Sequence, residues 1–242
     1  MKNNNTSLVF IHYFGGNANS WNWLAKRLEH KYNCVFLDLP GFGKTKPLEE
    51  LSVRSFAEWI SAEIKSLDLK DYILIGHSMG GKLALFTSFV SHDLLPKKLI
   101  LIAPSPPTKE KMSDDEKQRM LNHPDKSEAI VTVRNAARKK LKKGRFKLAV
   151  NSQLDVDPAT WRWWIEEGMN ENIVWAIKNL EIPTYVIHGR KDEVIKLEDV
   201  EEEVLPNTYH PKLIVFGRTG HLVPLESPRK LARIIKKIVK TQ

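Results

Sequence analysis

The chain has 242 residues, 42% apolar and 28% charged, which suits one domain with a sizeable core and excludes disordered and fibrous classes. Its one cysteine, Cys34, excludes an internal disulfide and a multi-cysteine metal site. A formal charge of +9 is high for an enzyme of small molecules and admits nucleic acid, an anionic membrane or an acidic protein as partner. No apolar run reaches the length of a membrane span and no secretory signal follows Met1-Lys2, so a cytoplasmic location is expected.

After a polar tail, Ser7 to His12 reads as a buried parallel strand running into Tyr13-Phe14-Gly15-Gly16. Asn19 or Ser20 is placed to cap a helix with Trp21, Leu24 and Leu28 on one face. Cys34 to Leu39 is a second strand, with Cys34 read as a small buried side chain. The following Pro40-Gly41-Phe42-Gly43-Lys44-Thr45 imitates a phosphate loop, but that pattern needs glycine where Asp38 stands and a helix where Pro47 falls. A plain loop lining a cleft is expected instead. Ser52 caps an amphipathic helix carrying Val53, Phe56, Ile60, Ile64 and Leu67.

The run Tyr72-Ile73-Leu74-Ile75 feeds Gly76-His77-Ser78-Met79-Gly80, and a helical pattern from Gly81 to Phe86 follows directly. Strand, glycine-flanked serine and helix make a nucleophile elbow, whose strained serine tolerates no neighbouring Cβ atoms. Lys98 to Ala103 is a further strand. The pattern resumes at Pro183 to His188 and Lys212 to Phe216, before a closing helix from Pro228 capped by Ser227. Alternating strands and helices predict a parallel sheet covered on both faces, with ligands at the carboxyl ends of its strands.

Between Pro104 and about Glu181 the strand signal stops. Ser113 with Glu116 makes a capping box, and Ile130, Val133, Ala137 and Leu141 share one face. Asp157-Pro158 opens a helix holding Trp161, Trp163 and Trp164, which are read as pocket-lining or as the core of a small cap. The expected division is a core of residues 1–103 and 182–242 with a helical cap insertion, 104–181, over the strand ends.

A serine hydroxyl needs a base, the base needs an orienting acid, and the oxyanion needs two donors. Behind an elbow the order is serine, acid, histidine, at the ends of later strands. Asp192 in His188-Gly189-Arg190-Lys191-Asp192 and His221 in Gly217-Arg218-Thr219-Gly220-His221 stand there. Asp192 has the other reading of a turn aspartate pairing Arg190 or Lys191, His221 that of a structural histidine, and Ser78 that of a relic. The other place for an acid, after Ala103, holds Pro104-Ser105-Pro106-Pro107 and no carboxylate. The amides of Phe14 and Met79 are the expected oxyanion donors, their side chains walling an acyl pocket. His12, His77 and His188 read as scaffold. No cofactor and no metal is implied.

Arg134, Arg138, Lys142 and Arg145 recur at near-helical spacing beside Lys139, Lys140 and Lys143. This is either a solvated face or a docking surface for an acidic partner; nucleic acid is not expected, since no aromatic residues interleave the basic ones.

On these motifs the chain resembles the α/β-hydrolase fold serine hydrolases over nearly its whole length. The resemblance implies Ser78 as nucleophile, Asp192 as orienting acid and His221 as general base and acid, cleaving a small apolar acyl ester through an acyl-enzyme. Aspartate at position 78 would have implied a dehalogenase or epoxide hydrolase. Tyr13 stands where the family has glycine, and the residues before Ser7 are too few for the family's N-terminal hairpin. A reduced, mainly parallel six-stranded sheet is therefore expected, with the Cys34 strand at its edge and open to sheet-edge pairing. Asp38-Leu39-Pro40-Gly41-Phe42-Gly43-Lys44 and the basic cap are similar to carboxylesterases that demethylate pimeloyl groups on acyl carrier protein, and to a menaquinone-pathway lyase of the same fold. A ligand receptor on a hydrolase scaffold is the alternative from another class.

Overall fold

The computed structural model describes residues 6–241. Six strands form one sheet: β1 (Ser7–Ile11), β2 (Asn33–Leu37), β3 (Tyr72–His77), β4 (Lys98–Ile102), β5 (Thr184–Gly189) and β6 (Lys212–Phe216). Their order is β2-β1-β3-β4-β5-β6, and every pairing is parallel. The strands are nearly continuous apolar runs because both faces are covered. Val9, Ile11, Leu74, Leu99 and Leu101 serve one face. Leu8, Phe10, Ile73, Ile75 and Ile100 serve the other, the period of two that a pleated strand imposes. On the first face lie α2 (Val53–Ser66) and α3 (Met79–Val90); on the second lie the short α1 (Asn22–Ala25) and the closing α11 (Pro228–Lys240).

Between β4 and β5 the chain is helical: α4 (Asp114–Met120), α5 (Lys126–Ala136), α6 (Lys143–Leu154), α7 (Pro158–Glu166) and α8 (Val174–Ile177). Met120, Trp161, Trp163 and Trp164 join the same apolar cluster as the first sheet face. Shorter helices α9 (Leu197–Asp199) and α10 (Val223–Glu226) follow β5 and β6. Among the described residues no helix is long and apolar enough to cross a membrane. The expectation of a missing N-terminal hairpin concerns residues 1–5, which lie outside the described residues.

Several local expectations are corrected. Asn17, not Asn19 or Ser20, opens the first helical turn, its carboxamide oxygen accepting the Asn19 N–H at 3.0 Å. Cys34 is only partly buried, because β2 is a sheet edge. Leu67 is 43% exposed, since it follows the last turn of α2 and no longer faces the sheet. Ser113 caps α4 by accepting the Glu116 N–H at 3.3 Å, but the Glu116 carboxylate turns to Arg119 and the capping box stays half formed. The loop from Pro40 to Thr45 is held against the start of α7, the Asp157 N–H donating to the Gly41 carbonyl at 2.8 Å. Asp38 is occupied as well, accepting the Ala18 N–H at 2.6 Å.

The helix expected to carry Ile130 through Leu141 stops at Ala136. Ala137 turns extended, with φ −98° and ψ 120°, because the Ala136 carbonyl goes to the His221 N–H instead of to a further turn. The basic residues therefore fall on α5, an irregular connection and α6, not on one helical face. Ser227 occupies the N-cap position of α11 without capping it, since its hydroxyl is taken by Lys139 and Thr219.

Candidate active site

The site is built from the sheet's middle strand. β3 ends at His77, α3 begins at Met79, and Ser78 between them holds φ 53° and ψ −119°. A non-glycine residue in such a conformation costs about 1–3 kcal/mol and persists only where its surroundings over-determine it. Here the Ser78 N–H donates to the Ile102 carbonyl at 3.0 Å, and the Ser78 carbonyl accepts from Gly81 at 2.7 Å and Ser105 at 3.1 Å. A Cβ on Gly76 would fall 2.1 Å from the Gly80 carbonyl oxygen, and one on Gly80 would fall 2.5 Å from the carbonyl oxygens of Ile11 and His12. Both obstacles are backbone and cannot move aside, which is the physical demand behind the two glycines.

The loops after β5 and β6 bring the predicted partners to this serine. Asp192 Oδ1 accepts the Val194 and Ile195 N–H groups at 2.9 and 3.0 Å, which fixes the carboxylate and leaves Oδ2 facing His221. His221 Nδ1 lies 2.8 Å from Asp192 Oδ2, and His221 Nε2 lies 2.9 Å from Ser78 Oγ. With Nδ1–H donating to the carboxylate, Nε2 carries the lone pair that accepts the serine proton. All three side chains are buried. The ion-pair partners of Asp192 among the described residues are His221 and, at 3.9 Å, His188, not Arg190 or Lys191.

Burial opposes charge on the His221 imidazole, but Asp192 across the hydrogen bond, with Glu110 and Glu226 behind, outweighs it and raises the pKa. The surroundings thus favour the protonated form of this imidazole.

Phe14 and Met79 hold different positions. Met79 opens α3 and is buried in the core, so its side chain walls no pocket, while Phe14 lines the cavity. Neither Phe14 nor Met79 donates its N–H to a turn carbonyl among the described residues. Tyr13, which replaces a glycine of the family pattern, belongs to the apolar cluster of Val133, Ala136, Leu222 and Leu225 and also lines the cavity. Burial pushes its phenol up to about 12, so it stays neutral.

Two further buried histidines are hydrogen-bonded to backbone, and a third lies beside Asp192. His12 Nδ1 donates to the Tyr13 carbonyl at 2.9 Å and Nε2 accepts the Leu39 N–H at 3.1 Å; burial brings it down to about 4. His77 donates from Nε2 to the His221 carbonyl at 2.9 Å, and burial keeps it neutral. His188 is buried beside Asp192, and burial lowers its pKa as well.

Three charged residues escaped the sequence reading. The segment Pro104-Ser105-Pro106-Pro107 holds no carboxylate itself, but Ser105 donates its hydroxyl to Glu110 just beyond it, a buried acid whose pKa burial raises. Lys82, one turn into α3, donates its ammonium to the carbonyls of Thr108 at 2.9 Å and Met169 at 3.3 Å, and burial brings it down to about 8. Glu226 accepts two backbone N–H groups beside His221. Only Glu226 had a local signal, as an acid between the loop histidine and the Ser227-Pro228 helix start.

The site opens on a cavity of about 1460 Å³, above the roughly 300–1,000 Å³ common for small-ligand pockets. Phe14, Met112, Met120, Val133, Trp164 and Leu222 supply apolar wall. Exposed Lys111, Arg190, Glu193, Lys196 and Glu198 supply a charged rim of both signs. Of the tryptophans between β4 and β5, Trp164 lines this space, Trp161 stacks on His123 and Trp163 on Phe56.

A protein of Haemophilus influenzae named, by inference, an esterase/lipase is 28% identical over 98% of this chain and 84% of its own length. The pimeloyl-[acyl-carrier protein] methyl ester esterase of Wigglesworthia glossinidia brevipalpis is 29% identical over 97% of this chain and 93% of its own. Among solved structures, an esterase from Exiguobacterium antarcticum superposes with a TM-score of 0.89 at 23% identity, covering 98% of this chain and 92% of that one. The family model for the alpha/beta hydrolase fold matches residues 6–241. With an elbow serine, a following acid and a last histidine behind a parallel sheet, the chain belongs to the alpha/beta hydrolase fold family.

Proposed function

We propose that this protein is an esterase/lipase-type hydrolase that cleaves carboxylic esters through an acyl-enzyme. The observation that carries the reading is one unbroken hydrogen-bonded chain, 2.8 Å from Asp192 to His221 and 2.9 Å from His221 to Ser78, ending in a cavity. Ser78 Oγ attacks the ester carbonyl carbon as His221 Nε2 takes its proton. The carbonyl oxygen becomes an oxyanion, received by the N–H groups of Met79 and Phe14. Collapse expels the alcohol, which leaves with the proton from His221. Water, deprotonated by His221, then attacks the acyl group, and a second collapse frees the acid and restores Ser78. Asp192 holds the imidazole in one tautomer and stabilises its charged form.

In this reading residues 104–181 are a cap on a core of 1–103 and 182–242, for Met120, Val133 and Trp164 line the same cavity as Ser78. Ser78→Ala should leave the fold intact and lower turnover of short p-nitrophenyl esters by several orders of magnitude. Retained turnover would overturn the assignment.

A second reading concerns the substrate. The likeness to an esterase acting on a carrier-linked pimeloyl group supports an ester delivered by an acidic carrier protein. Arg134, Arg138, Lys140, Lys142 and Lys143 are exposed and available to such a partner. Lys139 and Arg145 are engaged within the chain, bonding to Ser227 and to the Leu225 carbonyl.

A further inference from the structure

The loop that carries His221 does not stand by itself. The His221 carbonyl accepts from His77 at 2.9 Å, but its N–H donates at 2.8 Å to Ala136, at the end of α5 in the cap. The preceding Gly220 N–H donates to Glu226 Oε1 at 2.9 Å, and the other oxygen of that carboxylate accepts the cap's Lys139 N–H at 2.9 Å. The short helix α10 turns the chain so that Glu226 reaches back to the residue before His221. One buried carboxylate thus ties the loop before His221 to Lys139, which lies 87 residues from Glu226 in the sequence. Around it, Lys139 Nζ donates to Ser227 Oγ at 2.7 Å, and Arg145 to the Leu225 carbonyl at 2.6 Å.

We propose that Glu226 is a positioning residue of the active site, a clamp between cap and base loop that sets where His221 stands relative to Ser78; this rests on the reading of His221 as the base. Glu226 does not line the cavity, so it meets no substrate and acts through His221. Without its carboxylate the Gly220 and Lys139 N–H groups lose their acceptors, and both backbones shift to recover partners. A displacement of about 1 Å at a catalytic group is enough to cost roughly a hundredfold in rate. The clamp also makes closure of this end of the cap and alignment of the base one event.

The test is Glu226→Ala beside Glu226→Gln, assayed on a short p-nitrophenyl ester, with Ser78→Ala as control. The alanine variant should lower kcat roughly 10- to 100-fold with KM within about twofold, and slow fluorophosphonate labelling of Ser78 in parallel. Glutamine keeps the shape and one acceptor oxygen, so it should fall between wild type and alanine. The downfield proton resonance of the His221–Asp192 hydrogen bond should broaden or vanish in the alanine variant. If that variant does not fold, the glutamine variant is judged alone, a threefold or greater loss in kcat at constant KM supporting the clamp. Unchanged kcat in either folded variant, or a loss shared equally by kcat and substrate binding, would overturn it. Turnover surviving Ser78→Ala would sink the hydrolase reading itself, which a negative result at Glu226 leaves standing.

Discussion

In the proposed mechanism, proton transfer between Ser78 and His221 depends on which nitrogen of one imidazole is free, and two backbone hydrogen bonds decide that from a distance. Val194 and Ile195 hold Asp192 Oδ1, so Oδ2 is left to take Nδ1–H, and Nε2 is left for the serine. As the proposed base, His221 works only when neutral. Its pKa is raised above the ordinary 6.5, so kcat/KM should fall as pH drops through a value above 6.5 and be fully present on the alkaline side of it. Asp192→Asn removes the charge that favours imidazolium and offers N–H donors where an acceptor is needed. The acid limb of the pH profile should then move down, with kcat lower by about 10⁴. A pH profile of the two proteins on one ester checks both statements; a limb that stays in place would separate Asp192 from the base.

Elements are held in register by a few aromatic contacts that differ greatly in worth. Trp163 of α7 stacks on Phe56 of α2 at 4.9 Å with the ring planes 7° apart, and both rings are buried. Trp175 of α8 touches Phe86 and Phe89 edge-on but is 61% exposed. Trp163→Ala should therefore cost about 3–5 kcal/mol, a cavity-forming loss in the contact that docks α7 on the core. Trp175→Ala should cost within about 0.5 kcal/mol, as an exposed substitution. Urea titration of the two variants reads the difference directly. Lys82 adds a polar version of the same docking, since it reaches from α3 to the carbonyls of Thr108 and Met169.

For the whole molecule, the excess of +9 is divided between residues that hold the structure and residues that face water. Arg138 and Lys142 belong to the second group and lie on the connection between α5 and α6. Reversing both, Arg138→Glu with Lys142→Glu, should weaken turnover of an ester on an acidic carrier protein by tenfold or more while sparing a small neutral ester. Added salt should narrow the gap in the wild type, because exposed charges are screened over about 10 Å at 0.1 M ionic strength. Equal effects on both substrates would count against a docking surface and leave a solvated face.

Local pattern was enough for the order of the parts. Apolar runs bounded by turns marked the strands, glycines around Ser78 marked the elbow, and Asp192 and His221 stood in the loops after the last two strands. Each of these depends on neighbours within a few residues, so one chain read in order contains it. Tertiary contact decided what depends on segments meeting from far apart. It stopped α5 at Ala136, because a carbonyl there answers the His221 N–H, and it took Ser227 from its helix to serve Lys139. It also fixed Glu110, whose N–H donates to the Met169 carbonyl at 2.9 Å from the far side of the helical insertion. The division is physical: backbone geometry is written in short-range sterics and hydrophobic period, whereas a buried polar group takes whatever partner the finished packing places within about 3 Å.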